Sequence, residues 1–243
     1  MIRNIEELSM NAWPALQSLH CDGWVLRSAD GYTKRANSIY PLYDSTMDLD
    51  TKIDVCESFY RDKGLPTVFK MTKTSTPENL DVYLEERGYR IDSPTSVQVL
   101  DLRAEKRETT DNVELTSENT ITWHKAFARM NNVSPDRRAT HESILRAILP
   151  DKCYASISVD GKIIGCGLGV LQAGYLGIFD IVIDADHRAK RYGTHLMDAL
   201  LTWGQKQAAH TSYLQVMCNN EPALGLYAKL RFQEEYQYWY RIK

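Results

Sequence analysis

The stretch Ile181 to Leu201, IVIDADHRAKRYGTHLMDALL, concentrates the residues best suited to chemistry. Three cations, Arg188, Lys190 and Arg191, and then Gly193 stand where a β-branched run gives way to leucines at helical spacing. A helix start presents unpaired backbone N–H groups and the positive end of the helix dipole, so it is an anion site by construction. Gly193 lets a ligand approach the backbone, and the cations attract a multiply charged phosphate. The same cations also fit a solvated helix start. Cys166, in GCGLGV, could act as a nucleophile, but no His or cation is placed beside it in sequence to lower its pKa, so a buried inert thiol fits better.

The elements needed to position these residues can be read along the chain. In the N-terminal part we expect a helix over about residues 5–20, the strand WVLRS, a hairpin turn at Ala29-Asp30-Gly31, and a strand ending in SIYPL. A helix over about 49–62, the strand TVFKM, a helix from Pro77 to Arg87 closed by Gly88, and the strand SVQVLDL follow. RAEKRETTD, Arg103 to Asp111, is charged or Thr but for Ala104 and reads as a linker, which divides the chain into 1–105 and 106–243. Beyond it come the short strand NVELT, helix over 118–148 broken at Ser134-Pro135, and three strands, CYASISVD, KIIGCGLGVL and GYLGIFDIVID, turning at Asp160-Gly161 and Ala173-Gly174. A helix over 190–207, the strand SYLQVM, a helix over about 221–230 and the strand YQYWYRI close the chain. Shifting one half by 143 residues superimposes these elements, setting Tyr89 on Phe232 and TKIDVCESFY on THLMDALLTW, which points to an internal duplication or to convergence of two α/β halves.

Two motifs together carry a resemblance. Arg188-Ala189-Lys190-Arg191-Tyr192-Gly193 is similar to the pyrophosphate loop Gln/Arg-x-x-Gly-x-Gly/Ala of the GNAT superfamily of acyl-CoA-dependent N-acyltransferases, with Arg191 at the first Gly. Downstream, LQVMCNNEPALGLYAKLRF resembles that superfamily's strand, Asn and helix ending Leu-Tyr-x-Lys-x-Gly-Phe, with Arg231 at the Gly. The resemblance covers residues 112–243. It implies an α/β fold of two GNAT-like mixed-sheet halves, with the full acetyl-CoA-binding motifs in the second (106–243) and a degenerate copy in the first (1–105). The shift places Ser45 to Asp50, with two carboxylates and no Gly, opposite Arg188 to Gly193, a loop that would repel pyrophosphate. Leu84 likewise falls opposite Tyr227, and Pro77 opposite Asn220. The C-terminal half is accordingly expected to bind acetyl-CoA by itself, with the first half as scaffold or wall of the acceptor pocket.

The resemblance also implies roles. The cofactor would lie against Ile181, Val182, Ile183, Arg188, Ala189, Lys190, Arg191, Tyr192, Gly193, Thr194 and Asn220, its pantetheine arm pairing along 181–183 as an added strand. Asn220 could equally cap a helix. Tyr227 falls where the family often has a Tyr that hydrogen-bonds the departing thiol, while a core Tyr is the plain alternative. An acceptor amine of pKa about 10.4 needs about 4.6 kcal/mol to lose its proton at pH 7, so a base is wanted. Asp180 is the first candidate, with His141 and Glu142 behind it. Tyr236, Tyr238, Trp239 and Tyr240 could wall an acceptor site. The reading is a direct-attack N-acetyltransferase acting on a primary amine, with a non-catalytic acyl-CoA-binding or regulatory protein as the alternative.

Composition sets the outer limits. With 43% hydrophobic and 25% charged residues over 243 positions, the chain is of ordinary globular type. A net charge of −3 gives no basic excess for nucleic acid or an anionic membrane. No run of 18 apolar residues and no leader pattern occurs, and five scattered Cys without a CxxC pair suit reduced thiols better than a disulfide framework or metal site. A cytoplasmic protein, monomer or homodimer, is expected.

Overall fold

The computed structural model describes residues 1–104 and 112–243. The expected linker, but for its first two residues, and the boundary after 105 lie outside the described residues. The chain opens with α1 (Ile2–Ala12), whose Ile2, Ile5, Leu8 and Ala12 are buried along one face. The helix stops before Pro14, because proline disfavours helical backbone at Trp13 and offers no N–H of its own. The expected helix to residue 20 is thus corrected: Gln17–Cys21 is strand β1. It forms a hairpin with β2 (Trp24–Ser28) through Asp22-Gly23, both at positive φ. Gly23 is required twice over, since a Cβ there would meet the Asp44 carbonyl oxygen at 2.3 Å. The Asp30-Gly31 turn instead starts a longer excursion through a 3-10 turn, Lys34–Ala36, before β3 (Ile39–Pro41) returns antiparallel to β2. Asn37 holds that excursion by accepting from the N–H groups of Ala29 and Gly31.

The first half continues with α2 (Leu49–Arg61), β4 (Val68–Thr72), α3 (Leu80–Glu86) and β5 (Arg90–Asp101). After the linker come β6 (Glu114–Thr116), α4 (Ile121–Met130), α5 (Pro135–Arg146), β7 (Asp151–Val159), β8 (Lys162–Gln172) and β9 (Tyr175–Ile183). The chain ends with α6 (Tyr192–Lys206), β10 (Thr211–Met217), α7 (Glu221–Lys229) and β11 (Gln233–Ile242). Adding 143 to the bounds of α2 gives 192–204, inside α6, and to those of β4 gives 211–215, inside β10. Among the described residues all strands join one mixed sheet in the order β1-β2-β3-β4-β11-β5-β10-β9-β8-β7-β6. Only β3/β4 and β9/β10 run parallel.

The order carries a consequence for the halves. The final strand of each is lodged against the other: β11 pairs with β4 and β5, and β5 pairs with β10. Tyr236, Tyr238 and Tyr240 are buried there, Tyr236 donating to Glu6 of α1, which in turn faces the buried Lys70 at 2.5 Å. Trp239 donates its ring N–H to Asp81. These aromatics are core, not the acceptor walls expected from sequence. On this topology residues 106–243 alone would leave β11 without a partner and β10 paired only with β9, and unpaired strand edges favour aggregation. This replaces the expectation that 106–243 binds acetyl-CoA by itself: either piece expressed alone is expected to be unfolded or aggregated, and the two coexpressed to copurify one to one. A folded, monomeric 106–243 piece by size exclusion and thermal melting would refute this.

Candidate active site

The site is built on an irregularity in β9. Pairing with β8 slips between Cys166/Leu168 and their partners Val182/Phe179, and Asp180 at the slip adopts φ +53°. This bulge bends the strand and re-aims its side chains. Before it, Tyr175 to Ile178 pair with Thr211 to Leu214 of β10; after it that pairing stops, while Ile183 and Val182 remain paired to β8. The two strands therefore diverge.

A cavity of about 870 Å³ fills the divergence, lined by Ile181, Val182 and Ile183, by Arg188, Ala189 and Arg191 to Thr194, and by α7 with Asn220 and Tyr227. Of the residues assigned to the cofactor from sequence, only Lys190 is absent from this wall; its ammonium donates to the Asp186 carbonyl at 3.1 Å. Arg188 bonds back to the Ile183 carbonyl. Among the described residues no side chain caps the start of α6, which leaves its first N–H groups available to an anion at this end of the cavity. The corresponding start in the first half is closed: Asp48 accepts from Thr51 N–H, and Asp22 accepts from the N–H groups of Thr46 and Met47. Arg191 sits at φ +65° and Arg231 at +68°, so both departures from family glycines fall on left-handed residues, at about 1–2 kcal/mol each for a side chain there.

A Cβ on Gly193 would lie 3.3 Å from Leu226, so its open side is the cavity. Gly193→Asp is expected to weaken acyl-CoA binding at least 100-fold by placing a carboxylate among those N–H groups, whereas Asp50→Gly, which removes contacts to Arg87 and Tyr83 away from the cavity, leaves it unchanged. Calorimetry on both variants decides it; unaltered binding in the first removes the anion-site assignment.

At the other end Tyr227 is buried, and burial pushes its phenol up to about 12. Its hydroxyl makes no hydrogen bond to the described residues and borders the cavity. Asn220 caps α7 through its side-chain oxygen, accepting from Ala223 N–H, and it also lines the cavity. Asp184, just past β9, accepts from Arg129 of α4 at 2.5 Å, which holds its carboxyl down at about 2 and anchors the strand end.

Across the bulge lies a second cavity of about 400 Å³, whose wall includes Trp13, Tyr32, Phe127 and Asp180. Asn131 lines both cavities, so they adjoin. His141 is fully buried, its Nε2 3.0 Å from Asp180 Oδ2 and its Nδ1 3.2 Å from Nε2 of the half-buried His124. A carboxylate only accepts, so His141 donates to Asp180 from Nε2, and its Nδ1 meets Nε2 of His124, a chain of contacts that runs from the carboxylate outward. Burial first, then the neighbouring His141, lowers the pKa of His124. Glu142 faces away, paired with Arg146 on the outside of α5. Burial pushes the Cys166 thiol up to about 12, which leaves it inert at neutral pH. Sequence reasoning missed Trp13, Tyr32, Phe127 and His124. They come from distant segments and carry no local motif.

A splayed β9/β10 pair, an uncapped helix start on one side and a carboxylate at the bulge on the other define an acyltransferase of the GNAT class. A family model described as "Probable histone acetyltransferase Rv0428c C-terminal" matches residues 1–241, and the chain belongs to that family. It is similar to the "Uncharacterized N-acetyltransferase YobR" of Bacillus subtilis (strain 168), 31% identical over 247 residues, covering 100% of this chain and 98% of the relative. The fold matches a GCN5-related N-acetyltransferase from Kribbella flavida with a TM-score of 0.73 at 11% identity, over 99% of this chain and 95% of that one. It also matches a tandem GNAT protein from the clavulanic acid biosynthesis pathway, TM-score 0.68 at 11% identity, over 99% and 87%. GNAT membership implies use of an acyl-CoA. Among the described residues no helix is long and apolar enough to cross a membrane.

Proposed function

We propose that the protein transfers an acetyl group from acetyl-CoA to a primary amine by direct attack, as a cytoplasmic monomer or homodimer. Residues 106–243 supply the cofactor site, and residues 1–105, a degenerate GNAT-like half, supply part of the acceptor wall. The observation that carries this reading is the meeting of two cavities at the Asp180 bulge. The residues fit acetyl-CoA: the free N–H groups of α6 with Arg188 and Arg191 suit its pyrophosphate, and the open edge of Ile181 to Ile183 suits its pantetheine arm. Bound there, it supplies an activated thioester.

Asp180 faces the acceptor cavity and takes the proton that the amine must lose, while the His141–His124 chain orients the carboxylate and connects it to the surface. Tyr227 donates a hydrogen bond to sulfur as negative charge develops there. Cys166 takes no part, so no covalent enzyme intermediate forms. The test is thiol release from acetyl-CoA across amino acids, polyamines, aminoglycosides and peptides. Tight binding of acetyl-CoA with no release over that panel would instead support a non-catalytic acyl-CoA-binding protein.

A further inference from the structure

The acceptor cavity is bipolar. Besides Asp180 its wall carries two guanidinium groups, Arg35 from the first half and Arg137 from the second. The two are not equivalent. Arg137 lies over the Tyr32 ring and donates to the carbonyl oxygens of Tyr32 and Gly31. Arg35 stands 5.0 Å from the ring centre of Trp13 and 5.8 Å from that of Phe179, and among the described residues its guanidinium has no carboxylate or carbonyl to donate to.

Arg35 is nevertheless well placed. Its own carbonyl accepts from Arg27 Nη1 at 2.7 Å and from the Tyr40 hydroxyl at 2.9 Å, which pins the backbone of the 3-10 turn. Two aromatic faces orient a guanidinium without consuming its N–H groups, leaving a planar fork matched to a carboxylate or phosphate. Phe179, which it overlies, precedes Asp180 in the bulge, so one small molecule can reach both. Two cations against one carboxylate leave the cavity positive, which disfavours a lysine-rich acceptor and leaves room for one further negative charge.

We propose that the acceptor is a small amine that also bears an anionic group, a carboxylate or a phosphate, which Arg35 receives while Asp180 faces the amine. The inference rests on the acetyl-transfer reading and narrows it to a class of substrate.

The test is thiol release by the full chain with matched acceptors: an α-amino acid against its carboxamide, phosphoethanolamine against ethanolamine, and a lysine-rich peptide. The acid or the phosphate is expected to exceed its neutral partner at least tenfold in kcat/KM, and which of the two does so identifies the anion. Arg35→Gln should raise KM for the preferred anionic acceptor by about 10- to 100-fold and close that gap, with KM for acetyl-CoA unmoved. Arg35→Lys should recover part of it, which separates a charge effect from a packing effect. Equal turnover of charged and neutral partners, preference for the peptide, or an unchanged acceptor KM in Arg35→Gln would overturn the inference. Release from no acceptor at all would count against acetyl transfer itself. Calorimetry of the same acids and neutral partners on the CoA-loaded protein then judges Arg35 alone: binding confined to the anions and lost in Arg35→Gln supports the inference, and any other pattern overturns it.

Discussion

Tyr227→Phe is expected to lower kcat by roughly 10²- to 10⁴-fold while acetyl-CoA binding changes little. The phenol sits at about 12, and a departing thiol near 8.5 is the stronger acid. Full proton transfer from Tyr227 to the thiolate would therefore be uphill by about 5 kcal/mol, so in the proposed reaction the hydroxyl would act as a hydrogen-bond donor to sulfur and keep its proton. Such a bond strengthens as charge grows, which places the loss in kcat and not in ground-state affinity. The substitution also separates chemistry from packing. The hydroxyl bonds to none of the described residues, so Phe keeps the ring contact with Phe232 and the melting temperature should hold. Near wild-type kcat in a folded variant would return Tyr227 to the core.

The second large effect is expected at Asp180. Asn is the substitution that tests it, because Asn tolerates the left-handed backbone of the bulge and can still accept from His141, whereas Ala would strain the strand. Asp180→Asn should lower kcat/KM by about 10²- to 10⁴-fold at pH 7. Without a base, attack depends on amine already deprotonated in solution, a fraction that rises tenfold for each pH unit below the amine pKa. The variant's rate should follow that slope, and an acceptor of lower pKa should recover much of the loss. A small, pH-independent loss would show that Asp180 is not the base. His124→Gln, further along the same chain, should cost less, since Asp180 and His141 remain in contact.

The chemistry of one half of the site was legible because it is local. The cations of Arg188 to Arg191, Gly193 and the leucine spacing of α6 lie within about five helical turns, and a helix start presents its N–H groups whatever surrounds it. Tyr227 and Asn220 share a second local motif. Even the two departures at Arg191 and Arg231 were visible as residues, although only the backbone revealed that both lie at positive φ. Local signals also erred where a single residue decided the matter: Pro14 ended α1 early, and the segment beyond it, expected to be helix, pairs instead as β1 with β2 across Asp22-Gly23; the antiparallel pairing expected across Asp30-Gly31 does form, through a longer connection.

The rest belongs to long-range contact. Which strand lies beside β11 depends on how two halves bury their edges, and a strand's own sequence does not name its neighbour, so the exchange of β5 and β11 could not be read from a 143-residue repeat. The cavity beside Asp180 is long-range in the same way. It brings Trp13, Tyr32 and Arg35 against Phe127, Arg137 and Asp180 from more than 90 residues away, where no periodicity links them. By itself the sequence determined the class of fold, the helix start with its cations, and the acyl-CoA chemistry that the GNAT motifs imply. Only the tertiary structure decided which side chains line the cavity beside Asp180, because side chains so far apart in sequence meet only when the sheet closes around them.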